Sequence, residues 1–268
     1  MIKVHIISDL NLGFNEFTDP IDETIPNVDL VIINGNIGLL KRGMLYAETL
    51  CHKYPHIPFV YNLGERELYW GNIEKFLGET ETNLNIRKTT NTTWPKNLYW
   101  DSKKSIVIDL PNGRQVDIFC AYGFPKIYNY EGDWADTIWH KNYVSDVINA
   151  VDPTIYPNKP KDTSLVNHGI LPIWATIDWV NQQHTLEETL IRKWELSLKT
   201  SGILVTHINP YKDERCMNQT VGPYQIHLNN GLWVTSNTIV ENVKFLGAKL
   251  VSNPGRGSIA RSKIVHID

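Results

Sequence analysis

Three short apolar runs in the first 65 residues constrain the fold more than any other feature of the chain. They cover residues 3–9, 28–34 and 58–62, they are rich in β-branched residues, and polar residues or glycine close each one. This pattern predicts buried strands, and the apolar spacing over about 40–54 predicts a helix between the second strand and the third. Strands that alternate with helices are typical of an α/β fold with a largely parallel sheet.

The later sequence predicts more strands, at 106–110, 116–120, 203–207, 232–235 and 249–252. Asn112 and Gly113 predict a hairpin turn between the first two of these strands. A helix is predicted over 186–200, because Thr185 can cap it and Glu188 completes a capping box.

The segment 125–183 has a different composition, with many aromatic residues and prolines. We interpret it as an insertion or cap within a single domain of residues 1–268, with helices near 134–151 and 173–183. Its aromatic side chains either line a groove or anchor the insertion to the core.

Composition narrows the classes of protein to which the chain can belong. Lys and Arg total 26 and Asp and Glu 29, and this net charge of −3 leaves nucleic acid possible as a partner without supporting it. The three cysteines form no CxxC pair, which argues against a thiolate zinc site and a disulfide scaffold.

No apolar run reaches the roughly 20 residues that cross a bilayer, and no signal peptide is evident, so we expect a cytoplasmic protein with no membrane partner. Richness in Asn, Ile and Lys is typical of an AT-rich genome such as a phage's, for which the location is the host cytoplasm.

Short polar segments follow the predicted strands at the points where these strands end. The carboxyl ends of strands form the binding site in open α/β sheets, so these segments predict one shared pocket. The five segments are 8–11, 34–36, 64–67, 206–210 and 236–239.

Taken in order, these segments resemble the motifs of the calcineurin-like metallophosphoesterase superfamily. Ser-Asp-Leu-Asn-Leu-Gly at 8–13 resembles its Ser-Asp-Leu-His-Leu-Gly, and Asn-Gly-Asn-Ile-Gly at 34–38 resembles its Gly-Asp-Ile-Gly. Gly-Glu-Arg-Glu at 64–67 resembles Gly-Asn-His-Glu, and Val-Thr-His-Ile-Asn-Pro at 205–210 resembles Val-Thr-His-His-x-Pro. The resemblance implies a four-layer sandwich of two mixed β-sheets flanked by helices.

The resemblance also identifies where this chain departs from the family, whose members hold two metals with seven side chains. Asp9 and His207 keep two of these positions. The other five have changed residue type: Asn11 replaces the first His, Asn36 the bridging Asp, Glu65 an Asn, and Asn237 and Ile239 the last two His. In addition, Arg66 replaces the family's catalytic His, which is not one of the seven.

These changes predict a different use of the site. The amide of Asn36 carries no negative charge to hold two dications close together, so we expect no two-metal centre and no cofactor. Alternatively, Asp9, Glu65 and His207 hold a single Mn or Mg ion. His52 and His56 have the i, i+4 spacing of a helical metal site, but Pro55 lies between them and favours surface histidines.

We predict a pseudoenzyme that binds a phosphorylated ligand, such as a nucleotide, or a protein partner. The guanidinium of Arg66 can bind a phosphate through two hydrogen bonds, or it can pair with the carboxylates beside it in the sequence. The predicted ligand-binding residues are Asn11, Asn36, Arg66, Asn209 and Asn237. Two alternatives stay open: a single-metal phosphoesterase that cleaves phosphodiesters or phosphomonoesters, and a structural or interaction protein with a vestigial pocket.

Overall fold

The computed structural model describes residues 1–10, 12, 24–38, 42–64, 67, 95–100, 103–124, 126–128, 177–199, 202–207, 220–222, 231–236, 243–245, 248–252 and 263–267. Over these residues the chain is α/β, with two mixed sheets, a two-stranded ribbon and two helices. Strands and helices are numbered below in chain order.

The first sheet has five strands. Its spatial order is β13 (Lys263–Ile267), β1 (Ile2–Ile7), β2 (Leu30–Asn34), β3 (Phe59–Asn62) and β4 (Leu98–Trp100). β1 to β4 are parallel, and β13 is antiparallel to β1 at the edge. The strands β1, β2 and β3 are the three apolar runs from which the fold class was predicted, and they lie side by side.

The second sheet has six strands. Its spatial order is β11 (Val243–Phe245), β12 (Ala248–Ser252), β10 (Leu232–Thr235), β8 (Gly202–Thr206), β6 (Gln115–Ala121) and β5 (Ser105–Asp109). The four central strands are parallel, whereas β11 and β5 are antiparallel edges. The ribbon consists of β7 (Lys126–Tyr128) and β9 (Thr220–Gly222).

The two sheets pack face to face around a core to which both contribute. Because side chains alternate along a strand, Val4 and Ile6 of β1 point to the same face and meet Val205 of β8 and Val234 of β10 there. Helix α1 (Arg42–Lys53) contacts β3 and β4 in the first sheet, and helix α2 (Ile177–Ser197) contacts β6 in the second and β7 in the ribbon. The predicted α/β class is confirmed at this level.

The hairpin prediction is confirmed by geometry as well as by pairing. β5 and β6 are antiparallel, Leu110 N donates to Arg114 O, and Gly113 has a φ of +80°. A positive φ suits glycine, which has no Cβ to clash.

The helix predictions in this region need correction. Helix α2 begins at Ile177 and runs to Ser197 without a break, so the helices predicted separately near 173–183 and over 186–200 are one helix, and Thr185, the predicted cap of the second, lies inside it. The hydroxyl of Thr185 donates to Asn181 O four residues back, which satisfies it inside the helix instead of at a cap. The predicted end of the insertion at 183 therefore falls within α2, and the helix predicted near 134–151 lies outside the described residues.

Candidate functional site

The carboxyl ends of both sheets meet at one edge of the molecule. Asparagine is the last residue of β2 and of β3, and both of these side chains cross to the second sheet. Asn34 Nδ2 donates to Thr206 O at 2.9 Å, and Asn62 Nδ2 donates to Ala121 O at 3.0 Å. Asn62 Nδ2 also donates to Asn34 Oδ1 at 2.9 Å. These buried amides join the strand ends of one sheet to those of the other.

Five buried side chains just beyond the strand ends form what we call the strand-end cluster: Asp9, Asn36, Glu67, His207 and Ser236. Backbone hydrogen bonds join the loops that carry these residues. Asp9 N donates to Gly35 O at 3.0 Å, and Ser236 N donates to His207 O at 3.2 Å.

The centre of the cluster is a pair formed by an acid and an amide. Asn36 Nδ2 donates to Asp9 Oδ1 at 3.1 Å, and both residues are almost fully buried. Both have a left-handed backbone, with φ of +55° at Asp9 and +56° at Asn36. Asn and Asp tolerate this conformation better than other residues with a side chain, although it still costs about 1–3 kcal/mol, and such residues concentrate at functional sites.

Glu67 holds the loops around this pair. Its carboxylate accepts hydrogen bonds from the backbone N–H groups of Asn36, Ile37, Gly38 and Gly64, at 2.8–3.3 Å. The hydroxyl of Tyr61 donates to the same carboxylate at 3.0 Å. Burial raises the pKa of Glu67, while the positive charge that His207 carries when it is protonated, and the backbone donors, oppose that shift. Burial also raises the pKa of Tyr61 well above its usual value, and the Glu67 carboxylate adds to the shift.

The ring of His207 lies in a tightly packed position against two glycines. A Cβ added to Gly35 would lie 2.5 Å from His207 Nδ1, and one added to Gly64 would lie 2.9 Å from His207 Cε1. Ser236 Oγ contacts His207 Nδ1 at 2.5 Å and donates to His207 O at 2.8 Å. The absence of side chains at these glycines therefore allows the imidazole to reach Ser236.

A second buried carboxylate supports the cluster from α2. Glu187 accepts hydrogen bonds from the N–H groups of Tyr122, Gly123 and Phe124, which follow β6. Tyr122 O in turn accepts from His207 N at 3.0 Å, and the two rings lie 5.6 Å apart. The outer helix thus helps to place His207.

The structure brings three of the sequence-predicted site residues together: Asp9, Asn36 and His207. The other predicted residues lie outside the described part of the chain; they are Asn11, Glu65, Arg66, Asn209 and Asn237. Sequence reasoning missed Asn62 and Glu187. An asparagine at the last position of two apolar strands was a readable signal for the first, whereas nothing in the sequence distinguishes Glu187 from other glutamates on α2.

One change in donor chemistry is visible within the cluster. The amide nitrogen of Asn36, which cannot ligate a metal, faces the Asp9 carboxylate. Among the described residues, no three His, Cys, Asp or Glu side chains are grouped so that they could hold a metal ion. His52 and His56 lie away from the cluster, at an open depression of about 750 Å³ beside the amino ends of β3 and β4.

In comparisons with models of known protein families and with curated proteins, nothing matched this chain. Neither helix of the described residues is long and apolar enough to cross a membrane.

Proposed function

We propose that this chain is a degenerate metallophosphoesterase-fold protein that binds a phosphorylated ligand at the strand-end cluster without two-metal hydrolysis. One observation carries the proposal: Asn36 Nδ2 donates to Asp9 Oδ1 at 3.1 Å. In the family that the sequence resembles, both of these positions hold carboxylates.

This hydrogen bond bears on metal binding because the side chain of Asn36 carries no charge. A bridging carboxylate lets two divalent cations lie close together and activate a shared nucleophile. Here the partner of Asp9 is a neutral amide whose hydrogen already partly compensates the buried carboxylate. A second dication would have no anion to balance it at Asn36.

Binding of a phosphate still needs positive charge, and the sequence supplies it at Arg66. A guanidinium forms paired hydrogen bonds with phosphate oxygens and needs no metal to do so. Arg66 immediately precedes Glu67 in the sequence, and five hydrogen bonds anchor the Glu67 carboxylate. A nucleotide is the ligand class we favour, because Asn11, Asn209 and Asn237 add amide donors and acceptors to the same predicted set.

The test combines metal content, hydrolysis and binding. The protein is purified without chelator, its metals are counted per chain, and a phosphodiester substrate is assayed with added Mn. We expect less than one metal per chain and no turnover. One metal per chain that is lost in Asp9→Ala, together with turnover, would overturn the proposal in favour of a single-metal phosphoesterase.

Binding is then measured by calorimetry with adenosine monophosphate in the presence of EDTA. We expect binding that Arg66→Ala weakens by at least about tenfold, since hydrogen bonds to charged groups contribute roughly 1.5–3 kcal/mol. Arg114→Ala is the matched control, because Arg114 is exposed in the β5–β6 turn. A wild-type protein that binds no nucleotide would favour a vestigial pocket or a protein partner.

A further inference from the structure

The hydroxyl of Ser236 makes two contacts with His207, and together they determine where the hydrogens lie. Ser236 Oγ lies 2.8 Å from His207 O and 2.5 Å from His207 Nδ1, and both residues are fully buried. The hydroxyl therefore touches two atoms of the same histidine, one in its backbone and one in its ring.

A count of hydrogens assigns the direction of both bonds. A serine hydroxyl has one hydrogen, and a backbone carbonyl oxygen can only accept. The contact between Ser236 Oγ and His207 O therefore uses the hydroxyl hydrogen. The contact with Nδ1 then requires a hydrogen on that nitrogen, so His207 Nδ1 donates to Ser236 Oγ.

We propose that Ser236 is a positioning residue that holds neutral His207 in the Nδ1–H tautomer and makes Nε2 its acceptor nitrogen. The sequence makes this specific to the chain, because Ser236 stands where the resembled family has glycine, which offers no hydroxyl. A glycine at this position would make no side-chain contact with His207, so it could not select one tautomer over the other.

The tautomer is tested on the protein alone by nitrogen-15 NMR of the histidine rings at pH 8, where an ordinary imidazole is neutral. The His207 signals are assigned by their loss in His207→Gln. We expect a protonated Nδ1 and an unprotonated Nε2 in the wild type and in Ser236→Thr, and loss of this pattern in Ser236→Ala. A protonated Nε2 in the wild type, or a pattern that Ser236→Ala leaves unchanged, would overturn the proposal.

Two controls separate a tautomer effect from general loss of structure. Thr235→Val removes the neighbouring buried hydroxyl, which makes no hydrogen bond among the described residues, and should leave the His207 signals unchanged. His184 Nδ1 lies 2.7 Å from Phe124 O and should stay protonated in every variant. A change in His184 in step with His207 would attribute the effect to misfolding and count against Ser236.

Discussion

At the scale of single residues, Glu67 has a structural role that depends on its being a carboxylate. Four backbone N–H groups and the hydroxyl of Tyr61 converge on it, and no other side chain type of this size could accept from all of them. A buried carboxylate is stable only when such donors compensate its desolvation.

The bond from Tyr61 to Glu67 gives a prediction for stability. Tyr61→Phe removes one buried donor and should lower the free energy of unfolding by about 1–3 kcal/mol in urea titrations. In a double-mutant cycle, the same change should cost less when Glu67→Gln is already present. Equal costs in both backgrounds would show that the two side chains do not interact energetically.

The same hydrogen bond predicts how the stability of the folded protein depends on pH. The pKa of Tyr61 is raised in the folded state, while in the unfolded chain it stays near the ordinary value of 10.0. The stabilisation that neutral Tyr61 provides is therefore complete below pH 10 and is lost as the pH rises further. The stability difference between wild type and Tyr61→Phe should be constant from the pH at which Glu67 is ionised up to pH 10, and it should shrink above pH 10.

At the scale of elements, the strand-end turns depend on glycine to different degrees. Gly35 has a φ of +66°, and a Cβ there would lie 2.5 Å from His207 Nδ1 and 2.9 Å from the backbone of Gly64. Gly113 has a φ of +80°, but nothing lies within 4 Å of its added Cβ. Both positions have a positive φ that would strain a residue with a side chain, and they differ in crowding.

This difference gives a matched pair of variants. Gly113→Ala should cost about 1–2 kcal/mol, the strain of a left-handed residue with a side chain. Gly35→Ala adds a clash with backbone and imidazole, so it should cost at least about 3 kcal/mol and displace His207. Thermal unfolding measures both, and a similar loss at the two positions would contradict the crowding argument.

The elements also show what the sequence could predict. β1, β2 and β3 were predictable because a strand buried on both faces is apolar throughout, and the β5–β6 hairpin because its turn needs a glycine. The edge strands β4 and β13 are short or half exposed, so they carry little pattern. The contact of Asp9 with Asn36 followed from their placement at neighbouring strand ends, whereas Glu187 reaches the site by tertiary packing that no local pattern records.

At the scale of the whole molecule, two asparagines join the sheets at their carboxyl edge. Asn34 and Asn62 are bonded to each other, and each donates to a carbonyl of the second sheet. Polar contacts at this edge set the register between two otherwise apolar faces.

This arrangement predicts coupling between the two side chains. Asn34→Ala and Asn62→Ala should each lower the free energy of unfolding by about 1–3 kcal/mol, because each leaves buried partners unsatisfied. The double variant should be less destabilised than the sum, by about 1 kcal/mol, since the bond between the two amides can be lost only once. Strict additivity in urea titrations would contradict the network.

The bonds of Glu187 have a mechanical consequence. Tyr122 N donates to Glu187 on α2, and Tyr122 O accepts from His207 N. One residue and two hydrogen bonds thus separate α2 from the backbone of His207. Sliding of α2 along the sheet therefore has to break the bonds of Glu187 or carry the end of β6, and with it the backbone of His207, along with the helix.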